Sequence, residues 1–289
     1  MTMRFEKWQA LGNDYLILEA GQLPFELTPG RVRRLCEAHF GLFADGVLLL
    51  SPPAEAQDVA DLRIFNPDGS EAELSGNGAR EAILYLRRRG WTDSDEFSIA
   101  TAAGRIRPQI TGSDTCRVDM GHASLSSRDY PGGPPDGLGT VASAGRDWRF
   151  RHVSIGNPQC AIGVASIAEL DALELPVLGP AIEAAALFPN RTNVSWYAAL
   201  EPGAIRARIF ERGVGETLSS GTGATGAAVA HLHDQAAGER SGSVSVTLDG
   251  GELEVEVAED LRVHLTGWAR PVFAGEISAD FEKELNETE

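Results

Sequence analysis

One pattern occurs twice in this chain, and it limits the folds open to the sequence more strongly than any other feature. Arg63-Ile64-Phe65 is followed ten residues later by Ser75-Gly76-Asn77-Gly78-Ala79. The pattern recurs without a gap 145 residues further on, as Arg208-Ile209-Phe210 and Ser220-Gly221-Thr222-Gly223-Ala224. In a chain of 289 residues this spacing predicts a duplication that gives two similar domains. Each domain is expected to contribute a strand, a loop and a glycine-rich helix start.

Short strand patterns separated by turn signals fill most of the remaining sequence. Strands are predicted over 46–50, 62–65, 97–110 with a break at 103–104, 117–120, 148–155, 160–164, 193–198, 205–210, and 244–257 with a break at 249–251. Helices are predicted over 29–39, 77–89, 167–173, 180–187 and 222–235. The polar tail from Asp280 is expected to fray. The pattern indicates an α+β fold with largely antiparallel sheets.

Composition narrows the classes of partner and the compartment. Lys and Arg number 25 against 42 Asp and Glu, a net charge of −17, which disfavours nucleic acid and anionic membrane surfaces as partners. No segment approaches the roughly 18 apolar residues of a membrane span, so a cytoplasmic protein is predicted. Cys36, Cys116 and Cys160 lack metal or disulfide spacing and are expected to be buried in a reducing compartment. No metal site is predicted from the histidines either.

The repeated Ser-Gly-x-Gly-Ala segments place bare backbone N–H groups at two helix N-termini, which suits a carboxylate or a phosphate. For one copy alone, a serine N-cap with glycines for close packing is the simpler interpretation. Two matched copies favour a binding site for a small anion. The segment 221–226 also fits the dinucleotide pattern GxGxxG, but it does not directly follow a hydrophobic strand, so that interpretation is disfavoured.

Further motifs resemble those of the diaminopimelate epimerase family over nearly the whole chain. They are Ala10-Leu11-Gly12-Asn13-Asp14-Tyr15, Ala44-Asp45-Gly46, Phe65-Asn66-Pro67-Asp68-Gly69-Ser70, Ser75-Gly76-Asn77-Gly78-Ala79-Arg80, Val118-Asp119-Met120-Gly121, Gly156-Asn157-Pro158, Phe188-Pro189-Asn190-Arg191-Thr192-Asn193 and Glu211-Arg212-Gly213-Val214-Gly215-Glu216-Thr217. The resemblance implies two pseudo-symmetric domains, each a curled, barrel-like, mostly antiparallel sheet around a central helix, with substrate held between them. The expected domains are 1–120, completed by 269–289, and 121–268. A homodimer is also implied.

The resemblance further implies a cofactor-independent epimerase of amino acids that converts LL- to meso-diaminopimelate in lysine biosynthesis. The family uses two cysteines as acid and base, and this chain has Ser75 and Ser220 at those two catalytic positions. Substrate-binding roles are implied for Asn13, Asn66, Gly76, Asn77, Asn157, Asn193, Glu211, Arg212, Gly221 and Thr222. Glu211 would pair with an ammonium group, and the N–H groups at residues 76, 77, 221 and 222 would hold the α-carboxylate.

Two more positions depart from the family pattern. Gln159 stands where the family usually has histidine, and Glu81 stands where it often has cysteine, so both are candidates for a replacement acid or base. A serine hydroxyl is far less acidic than a thiol and is a weak base unless a neighbour activates it. The titratable side chains that could approach the serines in space are Glu73, Glu81, Glu216, His122 and His152. Reduced or altered activity is therefore expected.

Three interpretations remain open from the sequence. The serines could have been introduced by mutagenesis into an epimerase of this family, which the retained binding set favours. The chain could instead be a natural divergent paralogue that catalyses another isomerisation, elimination or cyclisation, which Gln159 and Glu81 favour. A protein that binds an amino acid without chemistry is the third.

Overall fold

The structure, a computed structural model, describes residues 3–73, 75–235 and 240–289. It divides into two compact units, one formed by Met1–Val118 with Gly267–Glu289 and the other by Asp119–Thr266. Both units consist mainly of β-sheet with few helices. The predicted α+β fold with two sheet-rich domains is confirmed.

The first unit contains α-helices and a set of mostly short strands. Its strands are β1 (Arg4–Ala10), β2 (Asn13–Glu19), β3 (Val47–Ser51), β4 (Ala60–Phe65), β5 (Glu71–Ala72), β6 (Ile99–Thr101), β7 (Gly104–Ile106), β8 (Pro108–Ile110), the first part of β9 (Thr115–His122) and β19 (Arg270–Glu276). Its helices are α1 (Pro29–Cys36), α2 (Gly76–Arg88) and α6 (Ala279–Glu287), with a 3-10 turn at Ala20–Gln22.

The second unit follows the same plan with longer strands. Its strands are β10 (Leu138–Ser143), β11 (Arg146–Ser154), β12 (Pro158–Gly163), β13 (Asn193–Glu201), β14 (Ala204–Glu211), β15 (Gly215–Thr217), β16 (Gly242–Leu248), β17 (Gly251–Val257) and β18 (Arg262–Trp268). Its helices are α3 (Ile167–Asp171), α4 (Leu175–Glu183) and α5 (Gly221–Asp234).

The two sheets share the order of a run of neighbouring strands. One sheet has the order β19-β1-β2-β3-β4-β6-β7 with β5 beside β4, and the other has the order β10-β11-β12-β13-β14-β16-β17-β18-β9-β8 with β15 beside β14. The parallel pairs β2–β3 and β4–β6 correspond to the parallel pairs β12–β13 and β14–β16. The pairs between them are antiparallel in both units. This matched alternation is what a duplicated domain predicts, and the sheets are mostly antiparallel.

Each unit buries one helix that begins with the repeated serine segment. Helix α5 contacts β11, β12, β13, β14, β16 and β17, so the sheet of the second unit curls around it. Its buried positions are mainly glycine and alanine, whose small side chains permit close approach to the strands. Helix α2 contacts β1, β2 and β3 and is buried from Asn77 to Leu86. The glycine-rich N-termini of both helices are thereby fixed by their cores.

The repeat also preserves an ion pair that closes the hairpin before each central helix. Arg63 on β4 contacts Glu71 on β5 at 2.9 Å, and Arg208 on β14 contacts Glu216 on β15 at 2.6 Å. These residues occupy equivalent positions in the two copies. The strand, hairpin and helix start therefore recur as one structural unit.

Two predictions near helix ends are wrong. The helix predicted over 180–187 is α4, Leu175–Glu183, which starts with proline in its first turn and keeps Pro180 inside. Proline is favoured in the first turn of a helix, and Pro176, not Pro180, occupies that turn. The tail predicted to fray forms α6, capped by Ser278. Leu285 of α6 is fully buried in a core cluster with residues of α1, and this apolar anchor outweighs the polar composition.

Among the residues that the structure describes, no helix has both the length and the apolar character needed to cross a membrane. All three cysteines are buried as free thiols.

Candidate active site

Ser75 and Ser220 cap the two central helices in the same way. The Oγ of Ser75 accepts a hydrogen bond from the Gly78 N–H at 3.1 Å, and the Oγ of Ser220 accepts one from the Gly223 N–H at 3.2 Å. Both serines have extended backbone, as N-cap residues require. The first residues of each helix have no preceding helical carbonyl for their N–H groups, and the helix dipole adds positive potential there. Each helix end can therefore bind an anionic group.

Removing either cap hydroxyl is expected to cost about 1 kcal/mol of unfolding free energy. Ser278 caps α6 through the Phe281 N–H at 3.2 Å and supplies a matched control outside the repeat. Urea unfolding of Ser75→Ala, Ser220→Ala and Ser278→Ala should show similar losses. Only the first two variants should lose catalytic activity, and equal activity in all three would assign the repeated serines a purely structural role.

The strand registers identify which residues correspond in the two units. In the first sheet Phe65 pairs with Val47, and Val47 pairs with Leu16 on the next strand. In the second sheet Phe210 pairs with Val194, and Val194 pairs with Cys160. Phe65 and Phe210 are partners in the sequence repeat, so the strands that carry Leu16 and Cys160 are equivalent. By this register, Asn13 is equivalent to Asn157, and Tyr15 is equivalent to Gln159.

In the first unit, side chains from β2 reach the start of α2. The Nδ2 of Asn77 donates to Asn13 Oδ1 at 3.3 Å, and Asn13 Nδ2 donates to Asp45 at 2.8 Å. The fully buried Arg80 donates to Asn77 Oδ1 at 2.5 Å and to the Gly76 carbonyl at 3.0 Å. The predicted residues Asn13, Gly76 and Asn77 thus lie together beside Ser75.

Ser75 has one more neighbour, which is not among the residues predicted from the sequence. The hydroxyl of Tyr15 donates to Ser75 Oγ at 3.1 Å. Tyr15 is buried and stands two residues after Asn13 on β2, so both side chains point to the same face of the strand. That spacing is the signal in the sequence that could have identified it.

Glu81, a candidate acid or base, is enclosed in α2 with no exposed surface. Neither of its carboxylate oxygens has a side-chain hydrogen-bond partner among the described residues, and the Tyr15 backbone favours the ionised form locally. Burial raises the pKa of Glu81 well above its usual range, the nearby Arg80 guanidinium opposes that rise, and the carboxylates of Asp14 and Asp45 add to it. Burial therefore favours the neutral form of this carboxyl group.

The variant Glu81→Gln is expected to be more stable than the parent at alkaline pH. Because the pKa of Glu81 is raised in the folded state, its contribution is fully present below its unfolded pKa near 4.5 and is lost as pH rises towards the folded pKa. Glutamine does not titrate, so the difference in unfolding free energy should grow above pH 4.5, to on the order of 1–3 kcal/mol. Denaturant unfolding from pH 4 to pH 9 measures it, with the exposed Glu55→Gln as control. A pH-independent difference would contradict this.

In the second unit, the serine has an acidic partner. The hydroxyl of Ser220 donates to Glu211 Oε2 at 3.1 Å, and Thr217 donates to Glu211 Oε1 at 2.9 Å. Burial raises the pKa of Glu211, although the hydrogen bonds from Thr217 and Ser220 lower it in part. Glu211 was expected to pair with an ammonium group, and its bond to Ser220 was not foreseen. A carboxylate with a raised pKa beside a serine can act as a general base.

A polar chain on β12 reaches the start of α5. Asn157 Nδ2 donates to Thr222 Oγ1 at 3.3 Å, and Gln159 Nε2 donates to Asn157 Oδ1 at 2.7 Å. This contact is the equivalent of the Asn13–Asn77 contact in the first unit. Gln159 is fully buried, and a Cβ at Gly226 would come within 2.7 Å of it, so the helix glycine makes room for this side chain. Gln159 fixes Asn157 and does not contact Ser220 among the described contacts.

A cavity of about 540 Å³ lies beside these residues within the second unit. It is lined by Arg128, Asp129, Gly156, Asn157, Pro158, Asn190 and Arg212. Arg212 donates to the Asn190 carbonyl at 2.7 Å through its side chain and to Asn193 Oδ1 at 2.8 Å through its backbone N–H. Two guanidinium groups at a cavity of this size suit a small carboxylate. Arg128 and Asn190 were not among the predicted site residues, since their loops are brought to the cavity only by the fold.

The remaining predicted residues lie elsewhere or have other partners. Asn66 donates to Ser70 Oγ at 2.9 Å within its turn, although it is the repeat equivalent of Glu211. Glu216 pairs with Arg208, His122 with Asp260, and the buried His152 with Ser127. Over the described ranges 3–73, 75–235 and 240–289, no group of three His, Cys, Asp or Glu side chains could hold a metal ion.

Solved structures with this fold include a phenazine biosynthesis protein and an epimerase. A phenazine biosynthesis protein of the PhzF family from Bacillus anthracis superposes with a TM-score of 0.70 at 17% identity, covering 96% of this chain and 99% of its own. A hydroxyproline epimerase from Agrobacterium vitis, with trans-4-hydroxy-L-proline bound, superposes with a TM-score of 0.63 at 15% identity, covering 96% and 91%. These likenesses place the fold in one structural class with both proteins.

Sequence comparison then gives the family. The diaminopimelate epimerase model matches residues 5–126 and 151–271. The diaminopimelate epimerase of Pelotomaculum thermopropionicum is 40% identical over 283 residues, covering 95% of this chain and 98% of its own, and that of Magnetococcus marinus is 40% identical, covering 96% and 98%. The chain belongs to the diaminopimelate epimerase family and is thus a member of a family of epimerase enzymes.

Proposed function

We propose that the chain epimerises diaminopimelate, converting the LL to the meso form in lysine biosynthesis, with Ser75 and Ser220 as its acid–base groups. The observation that carries the proposal is the Ser220–Glu211 hydrogen bond of 3.1 Å at the N-terminus of α5. It gives a serine at a family acid–base position the neighbour that a weak hydroxyl needs. The relationship to diaminopimelate epimerases over 95% of the chain supplies the substrate class.

The proton-removal step is assigned to the second unit. The Cα–H bond of the substrate breaks, its proton passes to Ser220 Oγ, and the original hydroxyl proton of Ser220 passes to Glu211 Oε2. The electron pair left on the α-carbon is spread into the α-carboxylate, whose negative charge is stabilised by the N–H groups and dipole of a helix N-terminus. The raised pKa of Glu211 strengthens it as the final proton acceptor.

The distal end of the substrate is assigned to the cavity that Arg128 and Arg212 line. Diaminopimelate carries a second carboxylate far from the reacting carbon, and a guanidinium group binds a carboxylate through paired N–H donors. A monocarboxylic amino acid such as lysine lacks this group. Selectivity for diaminopimelate over lysine is therefore expected.

Incubation with LL-diaminopimelate, followed by chiral chromatography, tests the proposal. The meso isomer should accumulate, whereas L-lysine under the same conditions should keep its configuration. Conversion of another amino acid in preference to diaminopimelate would replace the proposed substrate. Tight binding of diaminopimelate with no conversion would favour the non-catalytic alternative.

A further inference from the structure

The two serine hydroxyls differ in whether they donate or only accept hydrogen bonds. A hydroxyl offers one proton and two lone pairs. The Oγ of Ser75 accepts from the Gly78 N–H and from the Tyr15 O–H, at 3.1 Å each, so both of its lone pairs are engaged. The Oγ of Ser220 accepts from the Gly223 N–H at 3.2 Å and gives its proton to Glu211. Ser75 is left with a proton to donate and Ser220 with a lone pair to accept one.

This difference arises because the duplicated halves have diverged at two equivalent positions. Tyr15 and Gln159 occupy the same place in the two sheets, but the tyrosine reaches its serine, whereas the glutamine donates to Asn157 at 2.7 Å. Asn66 and Glu211 are also equivalent in the repeat. Asn66 donates to Ser70, whereas Glu211 accepts from Ser220.

We propose that Tyr15 is a positioning residue that fixes Ser75 as a proton-donating serine. The inference rests on the proposed function. A phenol, with an ordinary pKa near 10, is a much better proton donor than an aliphatic hydroxyl, so Tyr15 is the donor in the bond between them.

The donating step breaks one bond for each bond that it forms. The Oγ–H bond of Ser75 breaks as a Cα–H bond forms, and the proton of Tyr15 moves to Ser75 Oγ, leaving the phenolate. With Glu211 protonated in the removal step, one proton has left the α-carbon and another has replaced it. Exchange of one proton with solvent at each of the two groups restores Tyr15 and Glu211.

A thiol introduced at position 75 gives a direct reading of the Tyr15 hydrogen bond. Burial raises the pKa of Cys36 and of Cys116 to about 12 and that of Cys160 well above its usual range, so the native thiols stay silent near neutral pH. In Ser75→Cys, thiolate absorbance and the alkylation rate by iodoacetamide, measured against pH, then report the new thiol alone. A hydrogen bond donated to the thiolate lowers its pKa.

Adding Tyr15→Phe to Ser75→Cys should raise the pKa of the introduced thiol by about one unit. Tyr85→Phe is the matched control, because its hydroxyl donates to Glu19 at 2.7 Å in the same unit and not to Ser75. Rises of equal size with both changes, or no rise with Tyr15→Phe, would overturn the proposal. This reading is independent of any turnover of diaminopimelate, so it separates a failed inference from a failed proposed function.

With both serines present, Tyr15→Phe should lower kcat for diaminopimelate epimerisation about 10- to 100-fold and leave KM nearly unchanged. The loss should disappear when Tyr15→Phe is added to Ser75→Ala, because the hydroxyl acts through that serine. An additional loss of equal size in the Ser75→Ala background would assign Tyr15 a separate role and contradict the proposal.

Discussion

Replacing both serines by cysteine, in Ser75→Cys with Ser220→Cys, is expected to raise the rate of α-proton exchange of diaminopimelate by about 10²- to 10⁴-fold. A cysteine thiol has an ordinary pKa near 8.5, and a helix N-terminus lowers it further, so a thiolate is available near neutral pH. A serine hydroxyl forms no comparable anion. The helix ends that would hold the thiolates are already present, because both serines cap helices through N–H groups at 3.1 and 3.2 Å.

Deuterium exchange at the α-carbon, followed by NMR, measures this gain. The single variants should be intermediate, since each restores one of the two groups. Ser278→Cys, at the cap of α6, is the control for an added thiol at a helix N-terminus outside the repeat. A doubly substituted protein that exchanges no faster than the parent would show that the groups at positions 75 and 220 do not transfer the proton.

The variant Glu211→Gln is expected to reduce epimerisation by about 10²- to 10⁴-fold, which is the usual effect of removing a general base. Glutamine has nearly the same shape and can still accept a hydrogen bond from Ser220, but it cannot take up the proton. In the parent, activity should rise with pH through the pKa of Glu211, which burial places above its ordinary value of 4.5. This rise in activity with pH, the acidic limb of the pH–activity profile, should be absent in Glu211→Gln.

Glu216→Gln provides the matched control for Glu211→Gln. Glu216 lies on the same hairpin, but it contacts Arg208 at 2.6 Å and not Ser220. Its removal should leave kcat and the pH profile close to those of the parent. Should Glu211→Gln retain both the activity and the acidic limb, another group must accept the proton.

The sequence was sufficient to predict the duplication and the central helices, because both depend on local patterns. The Ser-Gly-x-Gly-Ala segments carry their own cap and their own space for packing, so α2 and α5 begin within one residue of the predicted starts. Helix α4 was placed wrongly because Pro176 and Pro180 are both acceptable first-turn residues. Helix α6 was missed because its stability comes from the burial of Leu285 against distant residues.

The predicted site residues near the helix starts lie together for a similar reason. Asn13 and Asn77, and likewise Asn157 and Thr222, meet because equivalent strands flank equivalent helices. The partners of the two serines were harder to predict. Tyr15 lies 60 residues from Ser75 along the chain, and only the sheet register brings its hydroxyl to that serine. The family resemblance implies a substrate-binding role for Glu211, but its hydrogen bond from Ser220 depends on the turn between β14 and β15.

The central claim is that the chain exchanges the α-proton of diaminopimelate through its two serines. The most direct test is incubation of the unaltered protein with LL- and meso-diaminopimelate in D2O, with the Cα–H signals followed by NMR. The claim predicts that these signals decay faster than in a protein-free control, and that Ser75→Ala or Ser220→Ala slows the decay. Signals that persist in the presence of the unaltered protein, at the protein-free rate, would contradict it.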